Sequence, residues 1–436
     1  MRMSFKPMQG ARMFDALHDK GCIVMAANTR IGHVTRGILR AAKDTDSPII
    51  LELARSECNL EGGYTGFTPE SYAKHCMEVA QEVDYDAWVL HADHISVKKG
   101  DAGDIEGTKK LIKAQIDAGF TSFAIDASHL FVQGEGDLLQ ALDKNITATV
   151  ELAKFIEENY GSKDFGLEVE VGEVGRTNDA GMVITSPEEA VTFIKALNEQ
   201  DVRPRVLAVA NGSVHGHQYD DRGNIIEQVT IDIPRTIAIA EALKKAGFTV
   251  RIAQHGITGT PRDLIYQKFP HGPIIKGNVG TFWQDITFEV LKIFEPGLYS
   301  KMEKWTLDNY RQKAQGKPDN QVFDKFRKNA IKQFYNEIYS LPEDTVNAIE
   351  ARAYAEALTF FKAFKCGGKA KLIREYQPPT PIPPEEPKKE EEPAQQEKES
   401  SEGSSEPPQE PAPSSPEGGS KKLGHKDILK QLGVHH

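Results

Sequence analysis

Cysteine is scarce: Cys22, Cys58, Cys76 and Cys366 are the four in 436 residues, and no two stand at CxxC spacing. That excludes a disulfide framework and a thiolate-held zinc, and points to a reducing compartment. Long apolar runs are missing too. No stretch reaches the roughly 18 apolar residues that a membrane span needs. The start, MRMSFKPMQG, lacks the apolar stretch of a secretory signal. A cytosolic protein with no membrane partner is expected. Positive charge is outweighed, with 53 Lys and Arg against 64 Asp and Glu and a net charge of -11. A nucleic-acid binder shows the opposite balance, so no nucleic-acid partner is expected. What is present, 39% hydrophobic and 27% charged residues, is enough for a large soluble core. The length does not fix the domain count, because a barrel can run to about 250 residues or more as one unit.

The globular part should end near Tyr376. Residues 377–420 hold 12 of the 24 prolines, and 11 Glu against 3 Lys give -8 of the net charge. Such a stretch buries too little apolar surface to offset the entropy of ordering, so a disordered linker is expected. Beyond it, KKLGHKDILKQLGVHH places Leu423, Ile428, Leu429 and Leu432 at near-helical spacing. Alone, so short a helix is marginal in water. One reading of residues 421–436 is a docking peptide for a partner groove; the other is a frayed tail. In layout, a Pro- and Glu-rich linker before a terminal amphipathic helix resembles the encapsulation peptides of bacterial microcompartment enzymes. The docking partner would then be a shell or another assembly. The terminal pair His435 and His436 is read as solvated.

Within the body, short apolar or β-branched runs recur: CIVMAA, PIILEL, AWVLHAD, SFAIDA, GLEVEVG, RVLAVAN, TVRIAQH and PIIKGNV. Segments with helical spacing lie between them, such as HVTRGILRAAKD and PEEAVTFIKALNE. Eight alternating units predict an α/β fold, a TIM (β/α)8 barrel over residues 1–295, followed by a helical extension over 296–376. A doubly wound sheet is the rival, but no GxGxxG follows the first strand.

Barrels carry their chemistry at the C-terminal strand ends. There the sequence places Asn28, Asp93 and His94, Asp126 and Ser128, Glu168 and Glu170, His215, His255 and Asn278. Taken singly, each histidine is more readily structural. Three on separate strands facing one cavity are what a catalytic zinc site with an open position requires, with carboxylates orienting the imidazoles. His91 ranks below His94, although strict alternation would aim His94 away from Asp93 unless the strand ends there. The glycine-rich HGITG and KGNVGT follow the seventh and eighth runs. Barrels commonly bind phosphate with backbone N–H groups there, so a phosphorylated substrate is expected.

The ordered motifs LHADH, IDASHL, LEVEVG, SVHGHQY, HGITG and KGNVGT, spanning roughly Gly21 to Leu291, resemble the class II, metal-dependent fructose-bisphosphate and tagatose-bisphosphate aldolase family. The resemblance implies that His94, His215 and His255 hold a catalytic zinc ion, with Asp126 and Glu170 close by or at an alternate metal position. Asp93 would be the acid and base at the substrate C4 hydroxyl. Gly216, Gly256, Thr258, Asn278 and Thr281 would bind the ketose phosphate and a neighbouring monovalent cation, Na+ or K+, and Asn28 would line the pocket. The implied reaction is retro-aldol cleavage of a ketose 1,6-bisphosphate, foremost fructose 1,6-bisphosphate, to dihydroxyacetone phosphate and glyceraldehyde 3-phosphate. Zinc would polarise the ketone and stabilise the enediolate. A homo-oligomer is implied as well.

Two features depart from the family. Where it carries a loop Glu after the fifth strand this chain reads GRTNDAG, so Asn178 replaces it and Asp179 or Glu173 would serve as base. ELARSE on the second strand lacks the small hydroxyl residue for phosphate, which Arg55 or Ser56 would replace. The resemblance also implies an arginine in the C-terminal helices that reaches a neighbour's phosphate, for which Arg327 is the candidate. Finally, GGYTGFTPESY resembles the non-catalytic companion subunits of tagatose-bisphosphate aldolases, which is the competing assignment.

Overall fold

In a computed structural model the described residues are 5–378 without 133–136, 174, 176, 179–180, 215, 221–224 and 228. The expected linker and terminal peptide therefore lie outside the described residues, apart from 377 and 378. Each of the eight runs forms a strand: β1 (Val24–Asn28), β2 (Ile49–Ala54), β3 (Trp88–Ser96), β4 (Ser122–Asp126), β5 (Gly166–Val171), β6 (Val206–Val209), β7 (Arg251–Gln254) and β8 (Ile274–Val279). They pair in parallel, each with its sequence neighbours, and β8 pairs with β1, so the barrel closes. The helices between are α2 (Val34–Asp44), α3 (Pro69–Val83), α4 (Ala102–Ala118), α5 (Leu138–Tyr160), α6 (Pro187–Glu199), α7 (Ile233–Lys245), α8 (Arg262–Lys268) and α9 (Thr281–Phe294). Their starts are encoded locally: Thr68 and Ser71, and Ser186 and Glu189, form reciprocal capping boxes with a proline in the first turn.

The sequence reading did not contain α1 (Gly10–Leu17), which lies against the N-terminal ends of β4 and β5. A Cβ on Gly10 would meet the Thr121 carbonyl oxygen at 2.7 Å, so only glycine permits this approach.

After the barrel come α10 (Pro296–Tyr310), α11 (Asp319–Phe326), the single turns α12 (Ala330–Gln333) and α13 (Tyr335–Ile338), α14 (Glu343–Ala363) and α15 (Ala370–Glu375). The helix α14 shares the barrel's own core through Ile349, Ala353, Ala357 and Phe360. Its backbone touches α2, where a Cβ on Gly37 would meet the Glu350 oxygen at 2.2 Å. A second apolar core, with Ile31, Phe288, Leu291, Met302 and Phe323, ties α10 and α11 to the segment after β1.

His33 joins the barrel to the extension, and His75 joins α3 to the segment after β1. His33 Nε2 lies 2.8 Å from the Ile338 oxygen, and His75 Nε2 lies 3.2 Å from that of Gly32. Burial lowers both pKa values below the usual 6.5, so the folded state favours neutral rings. Their contribution is complete above pH 6.5 and is lost as pH falls below it towards the depressed folded values. We expect the Tm to decline between pH 7 and pH 5, about two units around that value, with a shallower slope in His75→Gln. Equal slopes in a thermal-melt series would refute this assignment.

Candidate active site at the strand ends

The barrel interior is polar where most barrels stack branched aliphatic residues. Alternation sends residues i and i+2 to the same face, and three strands each carry one such polar pair. His91 and Asp93, Glu168 and Glu170, and Lys276 and Asn278 all face inward and are buried. The lower layer centres on Lys276. Its Nζ lies 2.7 Å from Glu168 Oε2, 3.0 Å from Glu52 Oε2, 3.1 Å from His91 Nε2 and 3.6 Å from Asp93 Oδ1. Glu52, His91 and Asp93 have the spacing of a metal-ligand group, but the Lys276 ammonium already stands among them.

In the upper layer Asp93 accepts from Asn28 Nδ2 at 3.1 Å and from Asn278 Nδ2 at 3.2 Å. Burial opposes its charge, yet His94, Lys276 and His255 hold its pKa well below the usual carboxylate range. Beside it, ligand atoms of His94, Glu170 and His255 all lie within 4.8 Å of one another. The two rings are 4.6 Å apart between centroids. His94 Nδ1 stands 3.1 Å from Glu170 Oε2 and 3.5 Å from Asp126 Oδ2. A carboxylate so placed orients the imidazole, and it can itself join the shell of an ion. Burial, reinforced by Asp126, pushes the Glu170 pKa up to about 7. Against burial, Asp93 and Glu170 hold that of His94 well above its usual value. Asp93, Asp126 and Glu170 thus crowd two imidazoles in a largely buried site, a donor set that calls for a cation.

His94 joins this group through a backbone irregularity. The register between β3 and β4 shifts between Ala92 and Ile95, and His94 has φ +38°. The bulge breaks alternation, which is why His94 shares the cavity with Asp93 although β3 continues to Ser96.

The cavity, about 690 Å³, is lined by Asn28, Asp93, His94, Asp126, Glu170 and His255. Gly216, Gly256, Thr258, Asn278 and Thr281 line it as well. Two expected site residues, His215 and Asp179, lie outside the described residues. Glu173 lines the cavity and pairs with His129 at 3.6 Å. The second histidine of SVHGHQY, His217, has both nitrogens engaged, Nε2 with Asp285 at 3.0 Å and Nδ1 with Asp324 at 2.9 Å. Those carboxylates raise its pKa to about 9, so it is an imidazolium with no lone pair to offer a metal.

One further expectation is corrected. Arg55 donates to the Ser96 oxygen and to Thr108 Oγ1 at 2.8 Å, outside the cavity, and only Ser56 lines it. Within its own chain Arg327 Nη2 pairs with Asp285 and with Asp324 at 2.7 Å, while its Nε has no hydrogen-bond partner among the described residues. The sequence reading missed Arg30, Glu57 and Tyr64, which wall the cavity near β1 and β2, and Lys317, Lys325 and Lys328 from the extension. Tyr64 belongs to GGYTG, so that motif could have pointed to this wall.

The fold and the site together define a (β/α)8 barrel with a histidine and carboxylate centre at its catalytic end. The sequence profile for fructose-bisphosphate aldolase class-II matches residues 8–344. The chain belongs to the class II fructose-bisphosphate aldolase family. It is 26% identical over 234 residues to a fructose-bisphosphate aldolase of Giardia intestinalis, a match covering 52% of this chain and 58% of that one. It is 27% identical over 276 residues to a 6-phospho-5-dehydro-2-deoxy-D-gluconate aldolase of Bacillus licheniformis, covering 61% of this chain and 78% of that one. The fold resembles the fructose-bisphosphate aldolase of Campylobacter jejuni with TM-score 0.55 at 18% identity, over 84% of this chain and 97% of that one. Family membership implies zinc, and His94, Glu170 and His255 are where the described residues offer ligands for it. Among the described residues no helix is long and apolar enough to cross a membrane.

Proposed function

We propose that this chain is a zinc-dependent aldolase that cleaves a ketose 1,6-bisphosphate, foremost fructose 1,6-bisphosphate, to dihydroxyacetone phosphate and glyceraldehyde 3-phosphate. The observation that carries this reading is the convergence of His94, Glu170 and His255 beside an ionised, doubly hydrogen-bonded Asp93. Zinc held by His94 and His255, with His215 and with Glu170 or Asp126 in support, would polarise the substrate ketone. Asp93 takes the proton from the C4 hydroxyl as the C3–C4 bond breaks, and Asn28 and Asn278 keep its oxygens in place. The electron pair left at C3 is then protonated; Glu173 is the described acid nearest that role on the loop after β5, with Asp179 the alternative. Thr258 and Thr281 offer hydroxyls at the mouths of β7 and β8, and Phe282 N donates to Thr258 Oγ1 at 3.3 Å. Gly256 and Gly216 leave backbone uncovered for the ketose phosphate and a monovalent cation.

No lysine Schiff base is invoked, because Lys276 is enclosed by its acids and is fully buried. A coupled assay on fructose and tagatose 1,6-bisphosphate decides the matter. Cleavage should fall to background in EDTA and return on adding zinc. Cleavage that survives complete metal removal would overturn the zinc reading. A zinc-loaded chain inert on both sugars would favour the companion-subunit reading that GGYTGFTPESY supports.

A further inference from the structure

The turn after β4 carries a histidine that the cleavage reaction leaves unused. Residues Ser128–Leu130 form a single 3-10 turn, and it is anchored at both ends. Ser128 N and Oγ donate to Asp126 Oδ1 at 3.2 and 2.6 Å. Leu130 is buried, and it packs so closely on Gly100 that a Cβ there would meet Leu130 Cδ1 at 2.8 Å. His129 between them lines the cavity, so its ring is mounted on a fixed base.

Glu173 faces it from the neighbouring strand end. The strands β4 and β5 pair in parallel, Ile125 with Val169, and Gly172 then turns the chain with φ +80°. Only glycine fits, since a Cβ would meet Thr185 Oγ1 at 2.5 Å. That hydroxyl donates to the Val171 oxygen at 3.1 Å and accepts from Ala210 N at 3.0 Å, which ties the end of β5 to the end of β6. The Glu173 backbone is thereby set at the cavity's edge, and its Oε1 comes within 3.6 Å of His129 Nε2.

The side chain of Glu173 is less constrained than its backbone. It is 36% exposed, and a glutamate so placed has several rotamers open to it. Asp126 and Glu170 are acids on the same side of the cavity, so like charge favours its outward rotamers. His129 supplies the opposite pull. With a proton on Nε2 the ring offers that carboxylate a donor, and a gap of 3.6 Å is one that catalytic pairs often show before substrate draws them together.

Placement gives the pair a task. Asp93 is held by Asn28 from β1 and by Asn278 from β8, and in the closed ring those strands lie across from β5 and β4. Cleavage moves two protons, one off the C4 hydroxyl and one onto C3. Two acids held from opposite walls suit those two transfers, one each. The chain needs such a second group, because Asn178 stands where the family resemblance places the loop carboxylate.

We propose that His129 is a positioning residue that keeps the Glu173 carboxyl turned into the cavity, where it transfers the proton at C3. In cleavage the electron pair left at C3 takes the proton of the Glu173 carboxylic acid, which becomes a carboxylate beside His129. In aldol addition that carboxylate removes the proton from dihydroxyacetone phosphate. The inference rests on the aldolase reading and deepens it, since it moves this task from the long loop to two neighbouring strand ends.

The test is exchange of a proton on the hydroxymethyl carbon of dihydroxyacetone phosphate in deuterium oxide, followed by NMR with the zinc-loaded full chain. Glu173→Gln should slow exchange about 10²- to 10⁴-fold, the usual worth of an acid–base group. His129→Ala should slow it about 10²-fold, the cost of misplacing such a group, with zinc content unchanged and with cleavage falling in kcat and not in KM. The double variant should be no slower than Glu173→Gln alone, because His129 acts through Glu173. Native-rate exchange in either single variant, or losses that multiply in the double variant, overturns the assignment. Failure of the aldolase reading looks different: the native chain itself would exchange nothing. Crystal structures of the zinc-loaded native chain and of His129→Ala then decide. A Glu173 carboxylate that leaves the cavity only in the variant supports the inference, and one that stays in the same place in both overturns it.

Discussion

Replacing Asp93 with alanine should lower kcat for ketose-bisphosphate cleavage by about 10²- to 10⁴-fold, the usual worth of a positioned acid–base group. The zinc content of the purified protein should be unchanged. The two parts of the prediction have separate causes. Asp93 touches the reacting region with oxygens aligned by Asn28 and Asn278, so its loss removes proton transfer. The group formed by His94, Glu170 and His255 does not include it, so metal should still bind. Steady-state kinetics with metal analysis on the same sample provides the check. A variant that lost zinc in proportion to activity would make Asp93 a support of the metal site and not the acid.

The second large effect concerns stability. Lys276→Met should destabilise the protein by about 3–5 kcal/mol, because removing one partner leaves a buried charge uncompensated. Glu168 is the group most affected. Burial opposes its ionisation, and Lys276, followed by His91, holds its pKa down to about 2. Pairing Lys276→Met with Glu168→Gln should recover part of the loss, since the stranded charge is then gone. Urea unfolding of the native chain, both single variants and the double variant gives the coupling directly. Additive losses would show that the lower layer is not one network. The Tyr and Asn residues near the cavity mouth carry no comparable charge, so their substitution should cost far less.

Much of this was legible in the sequence because the signals are short-ranged. Eight apolar runs with helical segments between them specify alternating strands and helices, and the barrel follows from burying both faces of a parallel sheet. Motifs such as LHADH and KGNVGT mark strand ends. The fold and the family followed from them; of the expected residues Asp93, His94, Glu170 and His255 are among those that line the cavity, Glu168 and Arg55 do not, and His215 and Asp179 lie outside the described residues. The period-two pairs His91 with Asp93 and Lys276 with Asn278 could also have revealed the polar interior, had the lower member of each pair been weighed as a barrel-lining residue.

Other features depend on distances that no sequence spacing records. His94 reaches the cavity through a bulge and a positive φ, which alternation cannot anticipate. Arg55 carries the right charge in a suitable segment, but Ser96 and Thr108 hold its Nη1 outside the cavity, and Asp285 and Asp324 hold Arg327 Nη2. Arg30 and Lys328 are almost three hundred positions apart and meet over Tyr64 only once α11 and its following turn pack beside β1. By itself the sequence determined which residue types stand at which strand ends, because alternation and capping are written in neighbouring residues. Only the tertiary structure decided which charges neutralise each other and which face the cavity, because ion pairing falls off over a few ångströms and depends on burial.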